Sequence, residues 1–427
     1  MRLSPAAMNW FWQAWLAAIV FVFPVPHTVA LRNVLLLIGV VVLLLGFRRT
    51  LPRLAPWLKP AAWCLAALTA WIVFHSAAVA PVPTLAFDQV RADWLMPFVI
   101  GAVAAWAAAQ LPRGLAAQAV LAALAAHMLW LLEWQFRLWL TIGHWPFKAT
   151  PFGGYDYQGT LNSFFLALLV ADRLAWALAR YSPLALGQRS AWVLLLLSLV
   201  ADLVLQSRNS TVITVSLILA ASLALLNARS RHRRIIVIAI GLVALVGAGS
   251  LALDGRWQNL RASAALGWSQ PTYWVTSGAA TCRVTPSGAM VDDSAYFRAA
   301  MARQALDFLA ERPMGIGFGH DAFGRAIEIK YGRAGLGSSH YGWLDFALGT
   351  GLVGLVLVLS GAGIALRHGW KRFRERQDGE ALLLTFFIGG YLLRCLLDGH
   401  FSGWRLGLFA FICGVLIGSM REKSEYS

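Results

Sequence analysis

The most reactive combination of residue types in this chain is a single histidine that closes a long, arginine-rich segment. His340 stands near the end of the polar stretch from residue 254 to 341, where the sequence becomes apolar again. An imidazole, with an ordinary pKa of about 6.5, accepts a hydroxyl proton near neutral pH. Guanidinium groups bind phosphate-like anions through paired hydrogen bonds. This combination favours deprotonation of a hydroxyl beside a bound anion, with a purely structural hydrogen-bonding histidine as the alternative.

Two arginines are the candidates for holding that anion. Arg208 lies in QSRNST between two apolar runs, and an arginine there is costly unless it reaches lipid headgroups or an anion. Arg298 lies in the first turn of a predicted helix, where unpaired N–H groups and the helix dipole favour an anion. Together they are candidates for binding a diphosphate. The competing interpretation for Arg208 is snorkelling to the headgroups.

A late aspartate and two further arginines are predicted to support this site. Asp398 lies in LLDGHFSGWR between Arg394 and Arg405. It is predicted either to fix that loop by pairing with one of these arginines or to orient an arginine or the substrate. Arg256 and Arg261, at the start of the polar segment, are the supporting arginines.

Other motifs do not indicate a cofactor. The GIGFG sequence, residues 315–319, follows a helix and lacks a P-loop lysine, so it favours a turn with close backbone approach over a nucleotide site. Asp292 and Asp293 are interpreted as helix caps, because no third oxygen ligand for a cation is evident. Cys282 is alone in the polar segment, and no C-x-x-C spacing occurs. We predict no metal and no other cofactor.

Composition places these residues in a membrane protein. Of 427 residues, 59% are hydrophobic and 13% are charged, whereas soluble domains average about 45–50% apolar and about 25% charged residues. The formal net charge of +16 is distributed in short clusters between apolar runs. That distribution fits the positive-inside rule better than a nucleic-acid-binding patch.

Apolar windows of about 20 residues, the length that crosses a bilayer, predict twelve transmembrane helices in one all-α domain over residues 1–427. Because the even-numbered spans are followed by basic loops, those loops and both termini are predicted to be cytoplasmic. The odd-numbered exits, including the long 254–341 segment with its short helices, then face outward. All the candidate chemistry therefore falls on one side. The predicted spans are 9–25, 28–46, 61–80, 94–111, 115–136, 161–179, 190–206, 209–227, 234–252, 342–366, 380–397 and 403–419.

An amphipathic helix is predicted inside the polar segment, over residues 294–312. Asp292 and Asp293 supply its cap, and Pro313 supplies its stop. Apolar residues recur at three- and four-residue spacing, which indicates one apolar face. The residues of that face are Phe297, Met301, Ala305 and Phe308.

Two motifs in this part of the chain resemble a known family. YFRAAMARQALDFLAERPMGIGFG and SSHYGWLDFALGTGLVG show an arginine, a short helix, a proline, a glycine turn and a Ser-His pair running into a helix. This pattern resembles the O-antigen ligase and O-antigen polymerase superfamily of bacterial envelopes. TVALRNVLL and YQGTLNSFF are weaker ligase-like segments. The portion from about residue 256 to 354 is the diagnostic one.

The resemblance implies an inner-membrane glycosyltransferase that takes a glycan from undecaprenyl diphosphate at the periplasmic face, without metal or nucleotide. His340 would be its essential histidine, Arg208 and Arg298 its essential arginines, and Asp398 the late aspartate of the ligases. The family usually has asparagine after the histidine, whereas this chain has Tyr341, so no role is carried over to that position.

The function implied first is transfer to a sugar hydroxyl of lipid A core, with inversion. Alternatives in the same superfamily are an O-antigen polymerase and a protein O-oligosaccharyltransferase, and a transporter of lipid-linked glycan is the alternative of another class. Tryptophans near span ends are predicted to be interfacial anchors. Trp145 and Trp343 are the best candidates for stacking on a sugar.

Overall fold

The computed structural model describes residues 4–45, 54–151, 154–227, 255–276, 284–285, 288, 290–333 and 337–420. Within these residues the regular structure is helical, apart from one isolated bridge between Val284 and Met290. The predicted fold class, an all-α polytopic membrane protein, is confirmed.

The described helices follow one another through short connections. A 3₁₀ turn (Pro56–Leu58) precedes the third helix, and a π-helical turn (Val90–Leu95) joins the fourth to the fifth. In chain order the helices are α1 (Pro5–Val22), α2 (Val29–Leu45), α3 (Lys59–Ala78), α4 (Pro83–Gln89), α5 (Met96–Ala108), α6 (Leu115–Ile142), α7 (Tyr155–Ala179), α8 (Gln188–Leu205), α9 (Arg208–Asn227), α10 (Gly255–Ser269), α11 (Tyr273–Thr276), α12 (Asp293–Glu311), α13 (Ala322–Tyr331), α14 (Gly342–Arg376), α15 (Gly379–Cys395) and α16 (Gly403–Ser419).

The predicted spans coincide with described helices except for the ninth, 234–252, which lies outside the described residues. Among the residues described, 8 helical stretches are long and apolar enough to cross a membrane, and Val29–Leu45 and Gly403–Ser419 are apolar but shorter. The number of twelve spans stays a prediction.

Among the eight described stretches long enough to cross a membrane, α7 has the largest buried share, and it packs against α6, α8, α9 and α15. Its polar side chains pair inside the bundle: Asn162 Nδ2 donates to Asp202 Oδ1 at 3.1 Å, and Ser198 Oγ donates to Asn162 Oδ1 at 2.8 Å. Buried polar groups need such partners where water is absent. The α7–α8 pair is thus held by both apolar packing and hydrogen bonds.

Three of the basic loops, all within the described part of the chain, meet at one end of the bundle. Arg113, in the loop before α6, donates from Nε to Glu380 Oε1 at 2.5 Å, and Tyr181 donates its O–H to the Gln377 carbonyl at 2.6 Å. Hydrogen bonding to the buried Glu380 carboxylate raises the pKa of Arg113. These contacts join the loops that follow predicted spans four, six and ten.

Other connections are also in contact. The Gly403 N–H at the start of α16 donates to Asp93 Oδ1 at 3.0 Å, and the Lys148 N–H after α6 donates to the Val204 carbonyl of α8 at 3.0 Å. The exits of predicted spans three and eleven therefore adjoin each other, as do those of spans five and seven.

Helix α12 confirms the predicted amphipathic helix, but its buried face is displaced by about one residue. Asp292 caps it by accepting the Ala295 N–H at 3.0 Å, and the helix ends before Pro313. Because α12 packs against both α10 and α14, two of its sides are covered, whereas the predicted Phe297 and Met301 are only partly buried. The buried residues are Tyr296, Ala300, Gln304, Ala305, Phe308 and Leu309.

The GIGFG turn is inserted into a break in α14. Gly351 has φ 71° and ψ 177°, which interrupts the helical hydrogen bond from the Leu352 N–H to the Leu348 carbonyl. The turn supplies both missing partners. The Ile316 N–H donates to the Leu348 carbonyl, and the Leu352 N–H donates to the Pro313 carbonyl, each at 2.9 Å. The predicted close backbone approach is confirmed, since a Cβ on Gly315 would lie 2.6 Å from the Leu348 oxygen.

Helix α3 satisfies two further carbonyl groups at this break. Trp71 Nε1 donates to the Thr350 carbonyl at 2.7 Å, and His75 Nε2 donates to the Met314 carbonyl. Backbone groups at membrane depth must be paired. The break in α14 is therefore a fixed joint between three helical segments.

We predict that Gly351→Ala lowers the free energy of unfolding by about 2–3 kcal/mol. The reasons are that a residue with a Cβ is strained at this left-handed φ and that the Cβ would displace the turn. A Cβ there would lie 2.5 Å from the Met314 carbonyl oxygen. The measurement is the midpoint of thermal unfolding in one detergent.

The matched control is Gly363→Ala in the same helix, where no heavy atom lies within 4 Å of the new Cβ. That variant should keep or slightly raise the midpoint, because alanine favours a helix. Equal midpoints for the two variants would show that the joint contributes nothing.

Candidate active site

His340 lies in a strained turn immediately before α14. Its φ is 63°, a left-handed value that is uncommon for a residue with a side chain, and the side chain is exposed. The Ser338 hydroxyl accepts the His340 N–H at 3.4 Å. The buried Asp345 carboxylate, in the first turn of α14, accepts the Ser339 N–H at 2.9 Å. The His340 side chain is therefore exposed, while hydrogen bonds to Ser338 and Asp345 hold the backbone of the turn.

The loop between α15 and α16 lies against this turn. The Gly342 N–H donates to the Asp398 carbonyl at 3.2 Å. The Asp398 side chain is buried; it accepts the Gly399 N–H at 2.9 Å and lies 3.7 Å from Arg405 Nη2. Arg405 Nη1 also donates to the Gly399 carbonyl at 3.2 Å. Asp398 thus lies within ion-pair distance of Arg405, one of the two partners that its position in the sequence suggests.

Arg394 anchors the same loop from inside the bundle. Its side chain is fully buried, and its described hydrogen-bond partners are uncharged. Nη1 donates to the Gly159 carbonyl at 3.3 Å and to Ser163 Oγ at 3.2 Å, while Nη2 donates to the Asp156 carbonyl at 3.4 Å. Nε donates to His400 Nε2 at 3.3 Å. The positive charge of Arg394 is therefore stabilised beside the loop by the dipoles of carbonyl, hydroxyl and imidazole groups.

His400 is neutral in this setting. Burial, and then the nearby charge of Arg394, holds the pKa of His400 well below its usual value. His400 Nε2 lies 3.3 Å from Arg394 Nε and 3.1 Å from Thr160 Oγ1, and Nδ1 lies 4.0 Å from Asp398 Oδ2. The imidazole is therefore packed between Arg394 and Asp398.

Arg298 of α12 reaches the same loop from the other side. Its Nη1 donates to the Leu397 carbonyl at 3.0 Å and to Asn209 Oδ1 at 3.3 Å. Burial raises the pKa of Tyr341, and the charge of Arg298 acts in the opposite direction. The guanidinium is thus within electrostatic range of the phenol that follows His340.

These contacts place Arg298 and Asp398 at one loop, beside the turn that carries His340. Arg208 begins α9 and is the chain neighbour of Asn209, which contacts Arg298; the side chains of Arg208 and Arg256 lie outside the described residues. Arg261 is exposed on α10, which packs against α12. Arg298 donates to Leu397 in the loop after α15, and Gly342, two residues after His340, donates to Asp398 in the same loop.

Two neighbouring cavities open at this end. The first, of about 200 Å³, is lined by residues on both sides of His340, namely Ser338 and Gly342, and by Asp345 and Gly399. The second has a volume of about 540 Å³ and lies towards α4 and the π-helical turn. The two cavities share His320, Ser402 and Arg405.

Trp145 and Trp343 are engaged in internal contacts. Trp145 Nε1 donates to Gln135 Oε1 at 3.0 Å, and Trp343 Nε1 donates to the Leu392 carbonyl at 3.1 Å. Tyr157 and Trp404 instead stack on each other beside the second cavity, with ring centroids 5.0 Å apart.

The sequence interpretation did not assign site roles to five residues that hold this geometry: Asn209, Asp345, Arg394, His400 and Arg405. One signal was present, because an ionisable residue in an apolar run, such as Arg394 in YLLRCLL, is a marker of an internal polar site. Asn209 contacts distant segments, and Asp345 contacts Ser339 only because of the local turn, and spacing along the chain shows neither.

The fold and this polar end define a class: a helical, multi-pass membrane protein with a cation-rich site at one end of its bundle. Residues 174–359 match the family model for O-Antigen ligase. This match supports the O-antigen ligase family for the chain and confirms the resemblance read from the motifs. It spans Arg208, Arg298 and His340, and ends before Asp398. A comparison with curated proteins finds no match.

Proposed function

We propose that the protein is an O-antigen ligase that transfers a glycan from undecaprenyl diphosphate to a sugar hydroxyl of lipid A core. The family match supports a membrane enzyme of the ligase and polymerase superfamily. The observation that carries the finer proposal is the shared loop: Leu397 accepts from Arg298, and Asp398 accepts from the Gly342 N–H, two residues after His340. One short segment thereby contacts both Arg298 and the start of the helix that follows His340.

In the proposed reaction, the acceptor hydroxyl oxygen attacks the anomeric carbon of the donor as the bond from that carbon to the diphosphate oxygen breaks. The proton of the hydroxyl passes to His340. The displaced diphosphate gains negative charge, which Arg208 and Arg298 offset. Attack opposite the leaving group inverts the configuration at the anomeric carbon.

The supporting groups have separate tasks in this scheme. Within the described residues, Arg298 uses Nη1 for its protein contacts, which leaves Nε and Nη2 for a phosphate. Asp398 positions Arg405 and the loop, and Arg256 and Arg261 add positive charge to the approach. The scheme uses no metal and no nucleotide, as the family resemblance implies.

The membrane placement is part of the proposal. Residues 1–427 form one embedded glycosyltransferase domain in the bacterial inner membrane, and both termini face the cytoplasm. The end that carries His340 faces the periplasm, and the 254–341 segment contributes much of the site. The three described basic loops that meet one another support this orientation, because positive loops stay cytoplasmic.

We predict that His340→Ala abolishes attachment of glycan to lipid A core in cells, because the acceptor hydroxyl loses its base. Carrier-linked glycan should accumulate. The measurement is electrophoresis of lipopolysaccharide together with quantification of the carrier-linked glycan.

The control is His144→Ala, a change of another exposed histidine, located in the loop after α6, which should leave lipopolysaccharide normal. Normal capped lipopolysaccharide from the His340 variant, at wild-type protein level, would refute the assignment.

We predict that Arg298→Lys lowers kcat/KM for transfer by about 10- to 100-fold, since lysine keeps the charge but loses the forked geometry. Arg303→Lys is the control on the same helix, because Arg303 forms a partly exposed ion pair with Asp307 at 2.9 Å. Comparable rates for both variants would remove Arg298 from the diphosphate site.

A further inference from the structure

The second cavity has no role in the proposed transfer step, although it adjoins the first. It lies between the α4 and π-helical region and the start of α16. Its volume of about 540 Å³ falls within the range of small-molecule sites, about 300–1,000 Å³. It is therefore large enough for one or two sugar rings.

One wall of this cavity is aromatic. Trp404 and Tyr157 stack with an interplanar angle of 18°, and the Arg405 guanidinium lies 5.7 Å and 5.6 Å from their ring centroids. Both rings are partly exposed. A rigid aromatic surface with a polar edge suits an amphipathic ligand, because one face buries C–H groups while the edge meets polar atoms.

The other wall carries hydrogen-bonding groups of both signs. Asp88, Asp93 and Gln89 offer acceptor oxygens, and Arg91 and Arg405 offer donors. Each cation of this cavity already has a carboxylate partner, Arg91 with Asp88 at 3.7 Å, His320 with Asp93 at 3.3 Å and Arg405 with Asp398 at 3.7 Å, so the wall does not select a strongly charged anion such as a diphosphate. Alternating donors and acceptors instead match the hydroxyl groups of an uncharged ring.

His320 fixes the boundary between the two cavities. Its Nδ1 contacts Gln89 Oε1 at 2.7 Å and Asp93 Oδ2 at 3.3 Å, and donation to the Asp93 carboxylate raises the pKa of His320. The histidine follows GIGFG, so the joint in α14 also positions this boundary. A ligand in the second cavity can continue past Ser402 into the cavity beside His340.

We propose that the second cavity is a saccharide subsite that stacks an uncharged pyranose ring on Trp404 and hydrogen-bonds it through Asp88 and Gln89. This inference rests on the proposed function, because in that reaction the bound ring belongs either to the acceptor core or to the donor glycan. Both sources present the same hydroxylated ring, and the probes below separate them.

The test is a binding measurement on the purified full-length protein in detergent by saturation-transfer NMR and calorimetry. One probe is the core oligosaccharide released from lipopolysaccharide by mild acid, and the other is free O-antigen repeat oligosaccharide. Neither probe carries a lipid or a diphosphate, so binding is read without turnover.

We expect one of the two probes to bind wild-type protein, and Trp404→Ala to weaken that binding at least 10-fold. Trp404→Phe should retain more of the affinity than Trp404→Ala. The control is Trp139→Ala, a change of another exposed tryptophan near the same end, which should leave the affinity unchanged. Asp88→Ala is a second test that avoids the packed rings, because the side chain of Asp88 is 74% exposed, and it should weaken binding about threefold.

Each outcome bears on the inference. Binding of the core oligosaccharide assigns the subsite to the acceptor, and binding of the repeat assigns it to the donor glycan. If neither probe binds, or if the Trp404 and Asp88 variants bind like wild type, the subsite is refuted even where transfer is intact. If a probe binds through Trp404 but no glycan is ever transferred, the subsite stands and the proposed function fails.

Discussion

The rest of the site depends on one pair of hydrogen bonds across the break in α14. The non-helical backbone at Gly351 prevents the hydrogen bond between the Leu352 N–H and the Leu348 carbonyl, and the turn after α12 supplies a partner for each of these groups. Inside a membrane an unpaired backbone group costs several kcal/mol, so the break and the turn stabilise each other. Helix α12 carries Arg298, and α14 begins two residues after His340. This joint therefore sets the position of α12 relative to the turn that contains His340.

A second connection closes the site from the bundle side. In the loop after α15, the Leu397 carbonyl accepts a hydrogen bond from Arg298, and the Asp398 carbonyl accepts one from the Gly342 N–H at the start of α14. From inside the bundle, Arg394 donates to His400 of the same loop. A buried guanidinium with uncharged partners is costly to create, and its five donors are suited to fixing several carbonyl groups at once. The loop is thus in contact with both Arg298 and the first residue of α14, two positions after His340.

The sequence predicted the helices well, because apolar length and the cap at Asp292 act locally. It also predicted the turn at GIGFG, since glycine at positive φ has a local cause. The roles of Asn209, Asp345 and Arg394 were missed for the opposite reason: their partners lie tens to hundreds of residues away or depend on the turn geometry. The buried face of α12 was displaced because two helices cover it, whereas the periodicity was interpreted as one face. The span over 234–252 and the side chains of Arg208 and Arg256 lie outside the described residues.

The most direct measurement is reconstitution of the purified protein with carrier-linked glycan and a choice of acceptors. Lipid A core and a second carrier-linked repeat are offered separately, and the products are separated by mass. The account predicts that lipid A core is extended, with release of undecaprenyl diphosphate. Extension of the carrier-linked repeat alone would identify a polymerase instead. Movement of carrier-linked glycan between leaflets without any new glycosidic bond would contradict a transferase altogether.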